Sequence, residues 1–203
     1  MSAPRPAARF VVTFAAAYAV LLALSGPLGG AHASATRAAW NAVARAFGGA
    51  LEPGIAIRFD AAPPGPGGTE SVMSLSRART GFDMRFEYGS RPFAYWPTAI
   101  MAALALATPA GWPRRLRALV LGVLAVQAFA ALGALAFVAD AFRRFDPVSA
   151  AREAAWWQSA LSHFVDRILP APLLFTLVPL GLWAILGFRC GDWGVNASKG
   201  ALA

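Results

Sequence analysis

Four apolar runs constrain this chain more than any other feature of its sequence. They cover Phe10–Gly30, Pro92–Trp112, Leu116–Val138 and Ile168–Phe188. Each holds roughly 20 residues, about 30 Å of α-helix, which is the thickness of a bilayer's hydrocarbon core. Apart from Arg117 at the start of the third, none contains Asp, Glu, Lys, Arg or His. A soluble domain carries about 25% charged residues, whereas this chain has 14%, with 58% hydrophobic residues. The expected class is an integral membrane α-helical protein with four transmembrane helices.

Short basic flanks orient the spans. Arg5 and Arg9 precede the first run, Arg114 and Arg115 sit between the second and third with Arg117 just inside the third, and Arg189 and Lys199 follow the fourth. The positive-inside rule places these in the cytoplasm. The expected division is a cytoplasmic N-terminus (1–9), helix 1 (10–30), an outer segment (31–91), helix 2 (92–112), a cytoplasmic turn (113–115), helix 3 (116–138), an outer interfacial helix (139–167), helix 4 (168–188) and a cytoplasmic tail (189–203). Tyr95 and Trp96 at one end of the second run, Trp112 at its other end and Trp183 in the fourth fit an interfacial aromatic belt. The net charge of +8 raises the question of nucleic acid. No basic run exceeds "RRLR", and the basic residues flank apolar runs, so membrane lipid is the expected partner and nucleic acid is not.

The end of the first run, "GPLGGAHASA" (26–35), admits two readings. Basic residues, an apolar core to Leu24 and Ala31-His32-Ala33 match a secretory leader cut after Ala33. Against cleavage, "ATRAAWNAVARAF" places Ala39, Trp40, Val43 and Phe47 on one helical face and Arg37, Asn41 and Arg45 on the other. Such a helix continuing from the first run would hide the site, which favours a retained anchor.

Beyond Pro53 the period changes to two. "GIAIRFD" (54–60), "SVMSLSRA" (71–78) and "GFDMRFEY" (81–88) alternate apolar and polar residues, the mark of half-buried strands. "AAPPGPGGTE" is a loop, and "RTG" is short enough for a hairpin. The expectation is a three-stranded antiparallel sheet with one apolar face, covered by the 35–47 helix. In the second outer loop, Asp146 and Pro147 signal a helix start. Ala150, Ala154, Trp157, Leu161, Phe164 and Ile168 would face one way, and Arg152, Ser159, His163 and Asp166 the other.

Chemistry-bearing motifs are sparse. His163 and Asp166 lie three apart, a spacing that can orient an imidazole. They lack a nucleophile motif, and His32, His163 and the scattered carboxylates lack metal-ligand spacing. No cofactor or metal is expected. Cys190 is the lone cysteine, which excludes an internal disulfide framework. Gln127 is the one strongly polar group near the middle of a run, and is expected to bond a neighbouring helix.

"GSRPFAYWP" is the most distinctive phrase. Phe82, Met84, Phe86 and Tyr88 on the third strand lead into Arg91, Tyr95 and Trp96, which together form a candidate partner-docking surface. The layout of runs, the outer hairpin, "YGSRPFAYWPTAI" (88–100) and "WPRRLRALVLG" (112–122) resemble the exosortase H-associated membrane proteins of Gram-negative bacteria. The similarity covers most of the chain. It implies residence in the bacterial inner membrane, a periplasmic sheet, and a role as accessory to a multi-spanning, transpeptidase-like exosortase that processes proteins with a C-terminal sorting signal. Exosortases use a Cys, an Arg and a His near the outer face. Here Cys190 is expected on the inner side and His163 on the outer, so a non-enzymatic accessory docking the enzyme or its substrate tail is the expected function. A membrane hydrolase or transferase using His163 and nearby acids is one alternative, and a transporter or sensor component is another.

Overall fold

The computed structural model describes residues 6–51, 54–63, 70–89, 91–145, 156–168 and 172–187. Helix α1 (Pro6–Ala23) meets α2 (Ser25–Leu51) at a bend of 76°. Pro27 explains the break: it has no N–H to donate, and its ring excludes the carbonyl four residues earlier. Strands β1 (Ile55–Ala61), β2 (Ser71–Arg77) and β3 (Phe82–Tyr88) follow. A π-helical turn, Arg91–Tyr95, leads into α3 (Trp96–Ala107). Thr108 then leaves the helix at ψ 128°, as a residue preceding a proline must tend to do. Helix α4 (Trp112–Phe145) begins with Pro113 in its first turn, where the missing N–H costs nothing. Helix α5 (Trp156–His163) ends in a second π-helical turn, Phe164–Ile168, and α6 spans Pro172–Leu186.

The expectation of four membrane-crossing helices is overturned. Among the described residues one helix, α4, is long and apolar enough to cross a bilayer by itself. Helices α1 and α2 meet that standard only together, as a bent pair, and Pro92–Ala107 and Leu174–Leu186 are shorter apolar helices. Prolines are the reason for the shortfall. Pro27 bends the first run toward its end and Pro109 ends the second before Trp112. The fourth begins only at Pro172. A 15-residue helix such as α6 is about 22 Å long, short of the roughly 30 Å hydrocarbon core. The third run departs in the other direction. Helix α4 does not stop at Val138 but continues through Asp140, Arg143 and Arg144 to Phe145, reaching 34 residues.

Helix α3 is central to an apolar bundle, packed by α1, α4 and α6. Its inner surface is built from small residues, Ala99, Ala103, Ala105 and Ala107, with Met101 and Leu104. Gly122 of α4 lies against the Met101 side chain so closely that a Cβ there would collide with it. Trp183 of α6 donates through Nε1 to Thr108 Oγ1 at 2.8 Å, and its ring stacks on Phe10 of α1 at 5.4 Å. Arg9 and Arg115 flank a small cleft at this same end.

At the other end of α4 sits the sheet, antiparallel throughout, in the order β1-β2-β3. Its register pairs Phe59 with Met73 and Met73 with Phe86. The hairpin between β2 and β3 closes with Thr80 N bonded to Arg77 O and Gly81 at φ 66°, a left-handed conformation that glycine adopts without penalty. Burial alternates along β2, with Ser71, Met73, Leu75 and Arg77 inward. The apolar face rests on two helices, not one. Trp40 and Ala44 of α2 cover part, and Ala130, Val138, Ala141 and Phe142 of α4 cover the rest.

Helix α2 is also rotated from the expected face. Ala33, Thr36, Trp40 and Ala44 are buried, while Ala39 is exposed, and Phe47 is not among the residues whose side chains are described. Arg37 and Asn41, expected outward, turn toward the sheet. Asn41 donates from Nδ2 to Phe59 O at 2.8 Å and accepts from Phe59 N at 2.9 Å. It thereby serves β1 as a missing strand would. Arg37 Nη1 donates to Glu70 O and Ser71 Oγ, both at 3.1 Å. A strand edge has polar backbone groups to satisfy, and a helix laid along it must bring polar side chains there.

Candidate functional site

Where the sheet meets α4, the packing leaves a cavity of about 350 Å³. Aromatic rings from five parts of the fold wall it: Trp40 of α2, Phe59 and Phe86 of the sheet, Phe93 of the π-helical turn, Phe129 and Phe137 of α4, and Phe175 of α6. Ala130, Gly133 and Ala134 occupy one face of α4 at helical spacing, and their small size makes the room. Phe93 and Phe175 meet edge to face at 5.0 Å, and so do Phe86 and Phe137. Glu87 also borders it, with its side chain on the opposite, exposed face of β3.

Two polar atoms of lining residues are buried with no partner. Trp40 is 5% exposed, and its indole Nε1 donates to nothing; the Tyr88 hydroxyl is likewise unbonded. The two rings stack at 5.7 Å. Burial pushes the Tyr88 phenol above its ordinary pKa, with Ser71 and Arg37 pulling it partly back. Ser71 lies opposite on β2 without reaching hydrogen-bond geometry. At neutral pH the phenol is therefore protonated and able to donate.

The residues expected to form a docking surface are distributed differently. Phe82 packs on Phe142 at 5.3 Å, Phe86 on Phe137, and Tyr88 on Trp40. They join the sheet to its own helices. Met84 is half-buried on the same face. Tyr95 is 7% exposed and donates from its hydroxyl to Leu21 O at 2.6 Å, so it caps the broken end of α1. Trp96 is exposed, and the Arg91 side chain lies outside those described. Only Trp96 of this set presents an outward aromatic ring. The physical reason is area: a three-stranded sheet must hide its aromatic face, and α4 extends far enough to hide it.

Around the bend between α1 and α2 a polar group of side chains ties three helices. Gln127 Nε2 donates to Thr98 Oγ1 at 2.8 Å, joining α4 to α3. His32 lies within 3.5 Å of both Gln127 and Thr36, and packs edge to face on Tyr95 at 5.2 Å. Farther along, Asp140 gathers a second group. It accepts from Ser162 Oγ at 2.6 Å and Arg143 at 3.1 Å, and pairs with Arg144 Nε at 2.6 Å. Arg143 also bonds Ser162, and Arg144 reaches on to Asp166 at 2.7 Å. This clasp holds α5 and the following turn against α4. Burial alone pushes the Asp140 carboxyl up, but the hydrogen bonds from Ser162, Arg143 and Arg144 outweigh it and leave the pKa below the ordinary value.

His163 is exposed, and Asp166 is engaged by Arg144. The residues Asp146, Glu153 and Cys190 lie outside the described residues. No group of three His, Cys, Asp or Glu placed to hold a metal ion occurs among the described residues. The aromatic lining itself was missed from sequence, although Ala130, Gly133 and Ala134 at positions i, i+3 and i+4 of the third run mark a close-packing face. No family model matches the chain, and neither a curated protein nor a solved structure similar to it is found.

Proposed function

We propose that this chain is a membrane-embedded, non-enzymatic accessory protein that holds a small sheet in fixed orientation for a partner to engage. The observation that carries the reading is the rigid union of sheet and apolar helix: Phe82 on Phe142 and Phe86 on Phe137 fix β3 along the end of α4. Membrane residence is supported by large apolar side chains exposed on α1, α4 and α6, such as Val12, Leu124 and Ile185. The basic end, with Arg9 and Arg115, would lie at the cytoplasmic face, and the sheet at the outer one. The resemblance of "YGSRPFAYWPTAI" and "WPRRLRALVLG" to exosortase H-associated proteins suggests an exosortase-type enzyme as the partner, in the inner membrane of a bacterium.

The two edges of the sheet differ. Asn41 occupies the outward backbone groups of β1 at Phe59. Because those groups point outward, antiparallel alternation across the register directs the backbone of Asp83, Arg85 and Glu87 to the outer side of β3. That edge suits an extended partner segment by strand addition. The rival reading, a hydrolase using His163 and Asp166, has less support because Asp166 is held by Arg144.

Arg85→Pro tests the reading. It removes an outward N–H while sparing the bonds to β2. Co-purification in mild detergent with an exosortase-type enzyme should succeed for the wild-type protein and fail for this variant, with folding unchanged. Equal capture by both, or by neither, overturns the proposal. Alkaline phosphatase fused after Gly89 should be active and after Arg115 inactive, and the reverse would invert the orientation.

A further inference from the structure

The cavity between sheet and α4 combines two properties that packing alone does not explain. Interiors are close-packed, and voids of this size are few. This one is kept open by Ala130, Gly133 and Ala134, small residues at i, i+3 and i+4 on one face of α4. Its volume falls among small-molecule sites, which begin at roughly 300 Å³. In addition, the Trp40 indole N–H and the Tyr88 hydroxyl lie buried in lining residues with no protein partner. A buried donor left unbonded costs about 1–3 kcal/mol, so two of them, on lining residues whose rings stack on one another, point to an acceptor supplied from outside the chain.

We infer that the cavity is a binding site for one acyl chain of a membrane lipid, with the ester carbonyl oxygen accepting hydrogen bonds from Trp40 Nε1 and the Tyr88 hydroxyl. The occupant's chemistry follows from the lining. Rings of phenylalanine and the methyl groups of alanine accept a hydrocarbon chain and offer it nothing polar. An indole N–H can only donate, so the polar atom that meets it must be an acceptor. Tyr88, kept protonated by its burial, is the second donor. In a bilayer, the acceptor attached to such a hydrocarbon chain is the lipid's ester carbonyl. The cavity borders the apolar side of the fold: Phe129 and Phe175 line it from α4 and α6, helices whose outer faces carry Leu124, Leu132 and Leu177 exposed. The inference rests on the membrane reading for the source of the chain, but not on the identity of any protein partner.

The test uses the full chain reconstituted in phosphatidylcholine vesicles containing a phosphatidylcholine with a photoreactive diazirine in one acyl chain. Irradiation and peptide mapping should find label on two sets of residues: the cavity lining, such as Phe86 and Phe137, and the outer face, such as Leu124. Ala134→Trp, which fills the cavity, should abolish the first set and keep the second. Trp40→Phe with Tyr88→Phe keeps the apolar walls and removes both donors. Labelling of the lining by this double variant should fall about tenfold, the loss of two modest hydrogen bonds. Label on the outer face alone in the wild-type protein refutes the site while leaving membrane residence intact. Label on neither set refutes both. Undiminished labelling in the double variant overturns the assigned hydrogen bonds. A diazirine fatty acid that labels the lining more strongly than the phospholipid overturns the ester assignment, and so does a photo-leucine-bearing poly-leucine–alanine peptide that does.

Discussion

The two ends of α4 are packed by opposite rules. Around its first half, small residues face inward and large apolar ones outward: Ala99, Ala103, Ala105, Ala118 and Gly122 are interior, while Val12, Leu124 and Ile185 are exposed. Around its second half the arrangement is that of a water-soluble core. Phe59, Met73 and Leu75 are buried under Trp40 and Phe142, and Arg58, Asp60, Asp83 and Arg85 face out. In water the hydrophobic effect sorts large apolar groups inward. In lipid that sorting force is absent, and helices associate through small residues that let backbones approach closely. One helix thus bridges two regions of opposite packing, which under the proposed membrane residence would answer to two solvents, and the cavity lies between the two packing styles.

The largest expected effect is in the core of the sheet. Phe59→Ala removes a side chain 3% exposed and should cost about 3–5 kcal/mol, read as a lowered unfolding midpoint in detergent. A cost below 1 kcal/mol would mean that this end is not a close-packed core. The next tests the other end. Leu124→Lys puts a charge on an outward face, which in a bilayer centre costs roughly 2.5–3.5 kcal/mol and should deplete the protein from membrane fractions. Wild-type levels with normal folding would show that this face meets water, and the contrast would collapse.

Asn41→Ala should cost less, about 1–3 kcal/mol, by stranding the Phe59 N–H and C=O. Amide exchange should accelerate at Phe59 and not at Met101, deep in the bundle. The smallest effect is that of pH on the Asp140 clasp. Its folded pKa is depressed, so the carboxylate contributes stability above its unfolded value and loses it as pH falls through the folded one. Spin-label distances between α4 and α5 should stay constant from neutral to mildly acidic pH and widen only below the ordinary carboxylate range. Widening near neutrality would show that the carboxylate is not held by its partners.

Much of the sheet was legible in the sequence. Strands expected at 54–60, 71–78 and 81–88 form at Ile55–Ala61, Ser71–Arg77 and Phe82–Tyr88, because alternation and turn residues are local signals. The candidate site was less legible. Phe82, Phe86 and Tyr88 were correctly placed on one face, but sequence alone could not say that the chain's own α4 would cover it. Placing Asp140, Arg143 and Arg144 in an outer segment beyond a helix ending at Val138 hid that cover. Their charges are balanced by one another and by Asp166, with Ser162 adding hydrogen bonds, both from a segment distant in sequence, and the helix continues through them.

What the sequence determined by itself is where the chain is apolar, where it alternates, and where basic residues gather, since composition and period are properties of neighbours along the chain. Only the tertiary structure decided how long each apolar helix is, which face of α2 turns inward, and what lies over the sheet. Pro27 and Pro109 act locally, but distant groups steady the resulting broken ends: the Tyr95 hydroxyl donates to Leu21 O, and the Trp183 indole donates to Thr108 Oγ1, whose own hydroxyl bonds Leu104 O. Asn41 turns inward because β1 has a backbone edge to satisfy there. Such partners are fixed by contact across the fold, where separation in space, and not in sequence, sets the energy.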